Sequence, residues 1–205
     1  MTLLKLTIVV MCSVAILDIS GCATAPETQA AKDVLHAKVR EAVVVFKDRD
    51  PQIRRFFDTA YGYAVFPEVF KGAYWIGGAY GKGEVYEEGQ RVGYSSLSQA
   101  TLGLSFGGEF FRGIVFFPNK EEFDSFRSQE YTFAAQVTGV ALTAGVAAKT
   151  DYKYGKAVFV IADRGLMVDA SLGGQKFMYL PEPVAAGSQY ELTTSKAHET
   201  PGPLH

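Results

Sequence analysis

The chain has 205 residues and a formal net charge of −2 at pH 7, from 20 Lys and Arg against 22 Asp and Glu. This near-neutral balance argues against a general nucleic-acid partner, because nucleic-acid-binding proteins carry a marked excess of cations. The 21 glycines and an aromatic fraction of 13% favour a β-rich domain with tight turns.

The N-terminal residues have the pattern of a secretion signal. Lys5 precedes an apolar stretch, residues 6–17, which is shorter than the roughly 20 apolar residues of a membrane-spanning helix. Ile19-Ser20-Gly21-Cys22 then resembles the lipobox of bacterial lipoproteins. We therefore predict a signal peptide over residues 1–21 and lipid attachment at the Cys22 sulfur. An uncleaved anchor helix and an ordinary buried N-terminal helix are the alternatives.

The residues after Cys22 predict where the protein resides. By resemblance to Gram-negative sorting, the non-acidic Ala23 implies an outer-membrane lipoprotein that faces the periplasm. Residues 22–30 lack large apolar side chains and are interpreted as a lipidated tether. A single domain is expected over residues 31–181, and the residues from 182 to 205 are expected to be a disordered tail.

Three helices are predicted. The first covers residues 31–48, because its apolar residues recur at three- and four-residue spacing. Those residues are Val34, Leu35, Val39, Ala42, Val43 and Phe46. Asp50-Pro51 combines a capping residue with a proline at the first helical position and predicts a second, short helix that ends near Tyr61-Gly62. A further helix is expected near 119–129, since Asn119 and Glu122 have the spacing of a capping box.

Strand patterns fill the first half of the domain. Ala64-Val65-Phe66-Pro67 predicts a short strand that ends at the proline, and the glycine-rich residues 72–86 predict a twisted or bulged strand. Residues 87–90 predict a hairpin turn. Residues 102–110 alternate between apolar and polar or small side chains, and residues 114–117 are apolar throughout, which indicates a strand buried on both faces.

The second half is also expected to be mostly strand. Residues 131–149 are predicted to be extended, with bends at Gly139 and Gly145 and a buried strand pair between Val137 and Ala148. Asp163-Arg164-Gly165 predicts a turn that pairs Val158–Ile161 with Leu166–Val168.

Lys176–Leu180 is predicted to be the last strand. Helices placed at the ends, with many antiparallel strands between them, indicate an α+β fold. We expect a curved antiparallel sheet, barrel-like or two-layer, with N-terminal amphipathic helices.

Several motifs together resemble the SYLF domain family over about residues 60–180. Ala64–Pro67 followed by Gly77–Val85 resembles the opening of the family, and Leu102–Gly108 resembles its "small-x-G-x-x-x-G" strand. Phe123 and Phe126 follow in the expected order. The motif positions, interpreted as structural, are Phe66, Pro67, Gly78, Gly81, Gly83, Gly103, Gly107, Gly165, Leu166 and Gly174.

The resemblance implies lipid binding. Eukaryotic members bind phosphoinositides and some bind actin, whereas bacterial members are described as lipid-binding lipoproteins. A bacterial envelope offers no actin, so the implied ligand is an anionic phospholipid head group. No functional role is inferred from the family for Thr150–Tyr154, where the family is expected to vary.

The sequence carries no recognisable catalytic or metal-binding pattern. His36, His198 and His205 are far apart, and no His, Cys and carboxylate cluster has ligand spacing. The glycines from Gly77 to Gly83 lack the spacing of a dinucleotide fingerprint, and they favour close backbone packing in a curved sheet. We expect no enzymatic activity, no cofactor and no metal.

The N-terminal helices carry the candidate contacts to anionic head groups. An apolar stripe, flanking cations and a nearby lipid anchor are typical of an interfacial helix. The candidate residues are Lys38, Arg40, Lys47, Arg49, Arg54 and Arg55. An ordinary amphipathic helix packed on the sheet is the alternative.

The leading hypothesis is a non-enzymatic envelope lipoprotein whose partner is the membrane. The first alternative is a structural or protein-interaction module that docks an unknown envelope protein. Its candidate surface is the sheet face or the aromatic cluster Tyr61, Tyr63, Tyr74 and Trp75. A hydrolase without a recognisable motif is the weaker alternative.

Overall fold

The computed structural model describes residues 25–128, 131–133 and 140–182. Within these ranges, the side chains of residues 73–76, 101–106, 131–133, 140 and 164–174 are outside the description. The predicted signal peptide, Cys22 and residues 183–205 of the predicted tail also lie outside the described residues.

The predicted N-terminal helices are present. Helix α1 covers Gln29–Arg49, a 3-10 turn covers Pro51–Ile53, and helix α2 covers Arg54–Thr59. Leu35, Val39, Ala42 and Phe46 form the buried stripe of α1, but Val34 is 57% exposed. No helix among the described residues is long and apolar enough to cross a bilayer.

Three long strands form the body of the sheet. Strand β1 covers Gly62–Glu87, β2 covers Gln90–Phe117 and β5 covers Ala157–Pro181, with β2 in the centre and antiparallel to both neighbours. Glu88 and Gly89 join β1 to β2 with φ angles of 48° and 80°. Positive φ at both residues is the geometry of a two-residue hairpin, so the predicted turn is confirmed.

Short elements complete the fold. Helix α3 covers Lys120–Arg127, strand β3 covers Tyr131–Phe133, strand β4 covers Val140–Ala141 and helix α4 covers Val146–Lys149. Strand β3 pairs with β5 in antiparallel fashion, whereas β4 pairs with it in parallel. The α+β class and the curved, mostly antiparallel sheet are therefore confirmed.

The ribbon of three long strands folds back on itself. The first arm contains residues 62–69 of β1 and the second arm contains residues 81–87, each with the β2 and β5 residues paired to it. Where the arms meet, the Glu88 N–H donates to the Tyr61 carbonyl at 2.9 Å. The rings of Tyr63 and Tyr86 stack with centroids 4.9 Å apart, and those of Phe66 and Phe177 lie 5.5 Å apart. The sheet thus forms two facing layers.

Glycine permits the close approach of the arms. A Cβ at Gly83 would lie 2.3 Å from the Val65 carbonyl oxygen, and one at Gly81 would lie 2.8 Å from the Glu68 carbonyl oxygen. No real Cβ is tolerated at such distances from backbone, so these glycines are required by packing. The predicted role of the glycine run, close backbone packing in a curved sheet, is confirmed at these two positions.

Two apolar cores lie on opposite faces of the same strands. Val65, Ile114 and Phe116 face the core that α1 covers. Their neighbours Ala64, Val115 and Phe117 face the core between the arms, which α3 closes with Phe123 and Phe126. Since successive strand residues point to opposite faces, residues 114–117 are buried on both sides, as predicted.

Two predicted strand ends are wrong. The strand of Ala64–Pro67 does not end at the proline, because a bulge between Phe66 and Val69 accommodates Pro67 and β1 continues. Asp163-Arg164-Gly165 is not a hairpin turn, and the predicted last strand, Lys176–Leu180, is the end of β5. The turn-like residues mark a register shift opposite Phe110 and Phe111, where Arg112 Nε donates to Asp163 Oδ2 at 2.9 Å.

The prediction of continuous strand over residues 131–149 is also wrong in part. Val146–Lys149 is helical, with Gly145 as its N-cap at φ 80°, so the predicted bend is correct but the buried strand pair is not. Gly139 lies outside the described residues. Ala147 is fully buried and its N–H is held by Asp50, so tertiary contacts select the helix over the strand.

The limits of the domain differ slightly from expectation. Helix α1 begins at Gln29 within the predicted tether, because Thr28 caps it by accepting from the Ala31 N–H at 3.2 Å. At the other end, the Glu182 N–H donates to the Val92 carbonyl at 2.9 Å. Glu182 is therefore hydrogen-bonded to the sheet beside Val92.

Asp50 is a buried carboxylate that joins distant parts of the chain. Its Oδ1 accepts from the Gln52 N–H at 3.1 Å and its Oδ2 from the Ala147 N–H at 2.8 Å. Burial alone would raise the pKa of Asp50, but hydrogen bonds from the backbone of Ala147, Gln52, Gly145 and Val146 hold the pKa below its usual value. The predicted cap at Asp50-Pro51 is confirmed.

We expect Asp50→Ala to lower the free energy of unfolding by about 2 kcal/mol or more, because it removes a cap and leaves the buried Ala147 N–H without its acceptor. Urea denaturation at pH 7 measures the loss. Asp58→Ala, at an exposed residue of α2, is the matched control and should have an effect near zero.

The stabilisation by Asp50 should also depend on pH. Because the folded pKa is lowered, the contribution is present above the unfolded pKa of about 3.9 and disappears as pH falls through the folded value. The difference in stability between wild type and Asp50→Ala should therefore shrink in acid. A constant difference down to pH 2 would contradict this account.

Candidate functional site

A groove of about 420 Å³ lies between the N-terminal segment, helix α1 and strand β1. This volume is within the range of small-ligand sites, roughly 300–1,000 Å³. The residues that line it are Pro26, Glu27, Thr28, Ala31, Val34, Leu35, Lys38 and Lys82. We call it the α1–β1 groove.

Helical periodicity builds one wall of the α1–β1 groove. Ala31, Val34, Leu35 and Lys38 follow the spacing i, i+3, i+4, i+7, which places them along one side of a helix. Leu35 is buried against the sheet, whereas Val34 remains largely exposed at the rim. The wall is therefore apolar along most of its length, with a cation at its end.

Close packing of the arms places the second cation. Lys82 lies between Gly81 and Gly83, the two glycines at which the arms approach most closely. Its Nζ donates to the Ala25 carbonyl at 3.4 Å, so the lysine reaches the segment that leads to Cys22. Ala25 therefore lies beside the groove.

The charges of the groove are two cations and one carboxylate. Lys38 is 50% exposed and its Nζ lies 3.6 Å from Glu68 Oε1, a distance and exposure typical of a weak surface ion pair. Glu27 is exposed on the N-terminal segment. The lining carries a net charge of +1 from Lys38, Lys82 and Glu27, and the Glu68 carboxylate adjoins Lys38 from outside the lining.

The other predicted cations do not gather at the groove. Lys38 and Arg49 are eleven residues apart, about three helical turns, and share one flank of α1, while Arg40 and Lys47 lie on the other flank. The Nζ of Lys47 is 4.4 Å from the ring centroid of Phe57.

Helix α2 carries the remaining two candidates. Arg54 is exposed, while Arg55 stacks on Phe56 at 4.6 Å and donates to the Thr150 carbonyl. Of the six candidates, Lys38 alone lines the groove.

A buried carboxylate fixes α1 above the strand that carries Lys82. The side chain of Glu84 is 0% exposed and accepts from three groups. Its Oε2 lies 3.0 Å from His36 Nδ1 of α1 and 2.6 Å from the Tyr86 hydroxyl, and its Oε1 is 2.9 Å from Arg91 Nη1. Because Glu84 and Lys82 are on one face of β1, this cluster sets the position of the groove wall.

The Glu84 cluster extends to the end of the domain. Arg91 also binds Glu182 through two nitrogens, at 3.0 and 2.7 Å. Burial alone would lower the pKa of Arg91, but Glu182 and Glu84 hold that pKa above its usual value. Burial, together with the bond to Glu84, raises the pKa of Tyr86. The cluster therefore links His36 of α1, near the start of the domain, to Glu182 at its end.

The motif positions lie in the three long strands rather than at the groove. Phe66 and Pro67 lie at a bulge of β1, and Gly78 pairs with Ala100 of β2. Gly107 has a φ of 119°, which favours glycine. Gly103, Gly165, Leu166 and Gly174 pair with Ser171, Glu109, Gly108 and Ala100 in the β2–β5 ladder.

Of the aromatic residues predicted to form a docking cluster, the two that are described make contacts within the domain. The Tyr61 hydroxyl donates to Glu87 Oε1 at 2.6 Å, and Tyr63 stacks on Tyr86. The hydrogen bond to Glu87, with burial, raises the pKa of Tyr61 to about 12. The side chains of Tyr74 and Trp75 lie outside the described residues. No exposed cluster is formed by Tyr61 and Tyr63.

Sequence reasoning missed Lys82, Glu84 and Glu27. Lys82 was visible only as one residue of a glycine-rich motif, and Glu84 as the acidic residue of a strand. The signal that could have found Lys82 and Glu84 is the alternation Lys82, Glu84, Tyr86, which places three polar groups on a face that α1 must cover. No such pattern surrounds Glu27.

Beta cell expansion factor A of Aeromonas veronii is 28% identical to the chain over 148 residues, which cover 72% of the chain and 56% of that protein. The chain therefore spans about half of the length of this relative. No family model matches the chain. An identity of 28% does not show which family the chain belongs to.

We expect Glu84→Ala to lower the free energy of unfolding by about 3 kcal/mol, because it leaves Tyr86 and the partly buried Arg91 without their shared acceptor. Thermal denaturation followed by circular dichroism measures the loss. His36→Ala removes one half-exposed partner of the same carboxylate and should cost less. Equal losses in the two variants would contradict the central place of Glu84.

Proposed function

We propose that this chain is an envelope lipoprotein, anchored through Cys22 in the outer membrane, whose folded domain binds anionic phospholipid. The α1–β1 groove is the observation that carries the proposal. It combines an apolar wall with two lysines, Lys38 and Lys82, and the segment leading to Cys22 forms part of its lining. A phosphate and the first carbons of an acyl chain have the chemistry that matches this lining.

The position of the anchor supports the proposal. Cys22 precedes Ala25 by three residues, which span at most about 10 Å of extended chain. Ala25 is itself held by Lys82 at the groove. A diacylglyceryl group on Cys22 would therefore hold the groove close to the membrane surface, where lipid head groups are abundant.

The charge of the groove supports an anionic ligand. A lysine near an anionic bilayer contributes about 1 kcal/mol to binding, so two lysines contribute a modest but measurable attraction. Because the anchor already holds the protein at the membrane, lipid recognition by the domain is not needed for attachment. The groove would instead orient the domain on the surface, or sense or present a lipid.

We further propose that the chain is a SYLF-domain protein. The motif residues support this assignment, since Phe66, Gly81 and Gly83 all lie where the arms of the ribbon meet. The distant similarity to Beta cell expansion factor A is consistent with it. The proposed function involves no catalysis: among the described residues no His or Cys lines the groove, and the Thr28 hydroxyl accepts from the Ala31 N–H as a helix cap.

We expect Cys22→Ser in the full chain to abolish incorporation of radiolabelled fatty acid and to release the protein from the membrane fraction. The sulfur of Cys22 is the predicted attachment atom, and serine removes it while changing little else. Cys12→Ser, within the predicted signal, is the matched control and should leave labelling unchanged. Labelled Cys22→Ser protein would contradict lipidation at this residue.

We expect the double variant Lys38→Gln, Lys82→Gln to weaken binding of residues 23–205 to anionic vesicles by about 2 kcal/mol, or roughly thirtyfold. Flotation with phosphatidylglycerol vesicles at low salt measures the affinity. Arg40→Gln, Arg54→Gln removes the same charge from exposed positions outside the groove and is the matched control.

Each outcome of the flotation experiment has a defined meaning. A large loss in the groove variant and a small loss in the control supports the groove. Equal losses indicate general surface attraction and contradict the groove. No flotation of the wild-type protein, with capture of a single envelope protein instead, would overturn lipid binding in favour of a protein-interaction module.

A further inference from the structure

We infer that the α1–β1 groove selects phospholipids with a single phosphodiester charge and a hydroxyl-bearing head group, as in phosphatidylglycerol, against phosphomonoester lipids. The inference rests on the proposed function and adds a selectivity to it. It comes from Glu27, the acidic residue among the groove-lining residues.

Charge balance gives the first argument. Lys38 and Lys82 supply two positive charges to the lining and Glu27 one negative charge. Glu68, outside the lining, lies 3.6 Å from Lys38 and offsets part of its charge. A ligand of charge −1 is therefore the largest anion that this set complements, whereas a phosphomonoester of charge between −1.5 and −2 brings excess negative charge towards a carboxylate. A groove built for polyanionic head groups would be expected to carry only cations and neutral donors.

Hydrogen-bonding capacity gives the second argument. An ionised carboxylate is an acceptor without a donor, so a head group that meets Glu27 must supply a hydrogen. The hydroxyls of a glycerol head group supply one next to the phosphodiester. No described residue forms an ion pair with Glu27, and its side chain is exposed on the N-terminal segment, so it is available to such a donor.

The third argument is the placement of Glu27 relative to the apolar wall. Pro26 and Thr28 flank Glu27 and line the groove with it, while Val34 and Leu35 form the facing wall on α1. A phosphate bound between the lysines would have its head group towards the N-terminal segment and its acyl carbons along Val34 and Leu35. In this placement the carboxylate would contact the part of the lipid that differs between head-group classes.

The test uses vesicles of equal surface charge that contain either phosphatidylglycerol or phosphatidic acid in a phosphatidylcholine background. Residues 23–205, which include the whole described domain, should float more readily with phosphatidylglycerol. Glu27→Gln should raise the affinity for both vesicle types about fivefold through the loss of one surface charge. It should raise the affinity for phosphatidic acid further than that for phosphatidylglycerol, because only phosphatidylglycerol loses the carboxylate that accepts from its head group. Glu27→Asp keeps the carboxylate and should keep the selectivity.

Glu121→Gln, at an exposed residue of α3 outside the groove, is the matched control and should leave the ratio of the two affinities unchanged. Wild-type preference for phosphatidic acid, or an equal change for both lipids in Glu27→Gln, would overturn the selectivity and leave lipid binding intact. Absence of binding to both vesicle types would overturn the proposed function itself.

Discussion

The close approach of the two arms of the β-ribbon is the constraint on which the rest of the structure depends. At Gly83 a Cβ would lie 2.3 Å from the Val65 carbonyl oxygen, so any side chain there would force the layers apart. The approach buries Phe66 against Phe177 and leaves both faces of the first arm inside a core. It also carries Lys82, between the two glycines, to the groove. The close approach of the arms therefore determines both the packing of the cores and the position of Lys82 at the groove.

The Glu84 cluster adds the second constraint, because it joins α1 to the ribbon through a buried charge. Apolar contacts of Leu35 and Phe46 attach the helix, but such contacts are not directional. The bonds from His36 and Arg91 to the Glu84 carboxylate specify how the helix lies on the strand. The width of the groove, and with it the separation of Lys38 and Lys82, follows from that placement.

Local patterns predicted three helices, the caps at Asp50 and Asn119, and the first hairpin, because Asp50-Pro51, Asn119 and Glu88-Gly89 act through neighbouring backbone groups. The errors arose where distant partners decide the structure. Asp163-Arg164-Gly165 has turn composition, yet the continuous β2 partner keeps it extended. The helix at Val146 depends on Asp50, 97 residues from Ala147. At the candidate site, Lys38 was predicted as part of a cationic surface, whereas Lys82 and Glu27 join it only through the folding of the ribbon.

The central claim, that lipid occupies the α1–β1 groove, is tested most directly by photocrosslinking from α1. Val34 and Val44 are equally exposed, at 57% and 56%, but Val34 lines the groove and Val44 lies ten residues, about 15 Å, further along the helix. A photoreactive residue replaces each valine in turn, and mass spectrometry detects lipid adducts after irradiation with phosphatidylglycerol vesicles. The account predicts adducts from position 34 and few from position 44. Equal labelling of both positions, or labelling of position 44 alone, would contradict it.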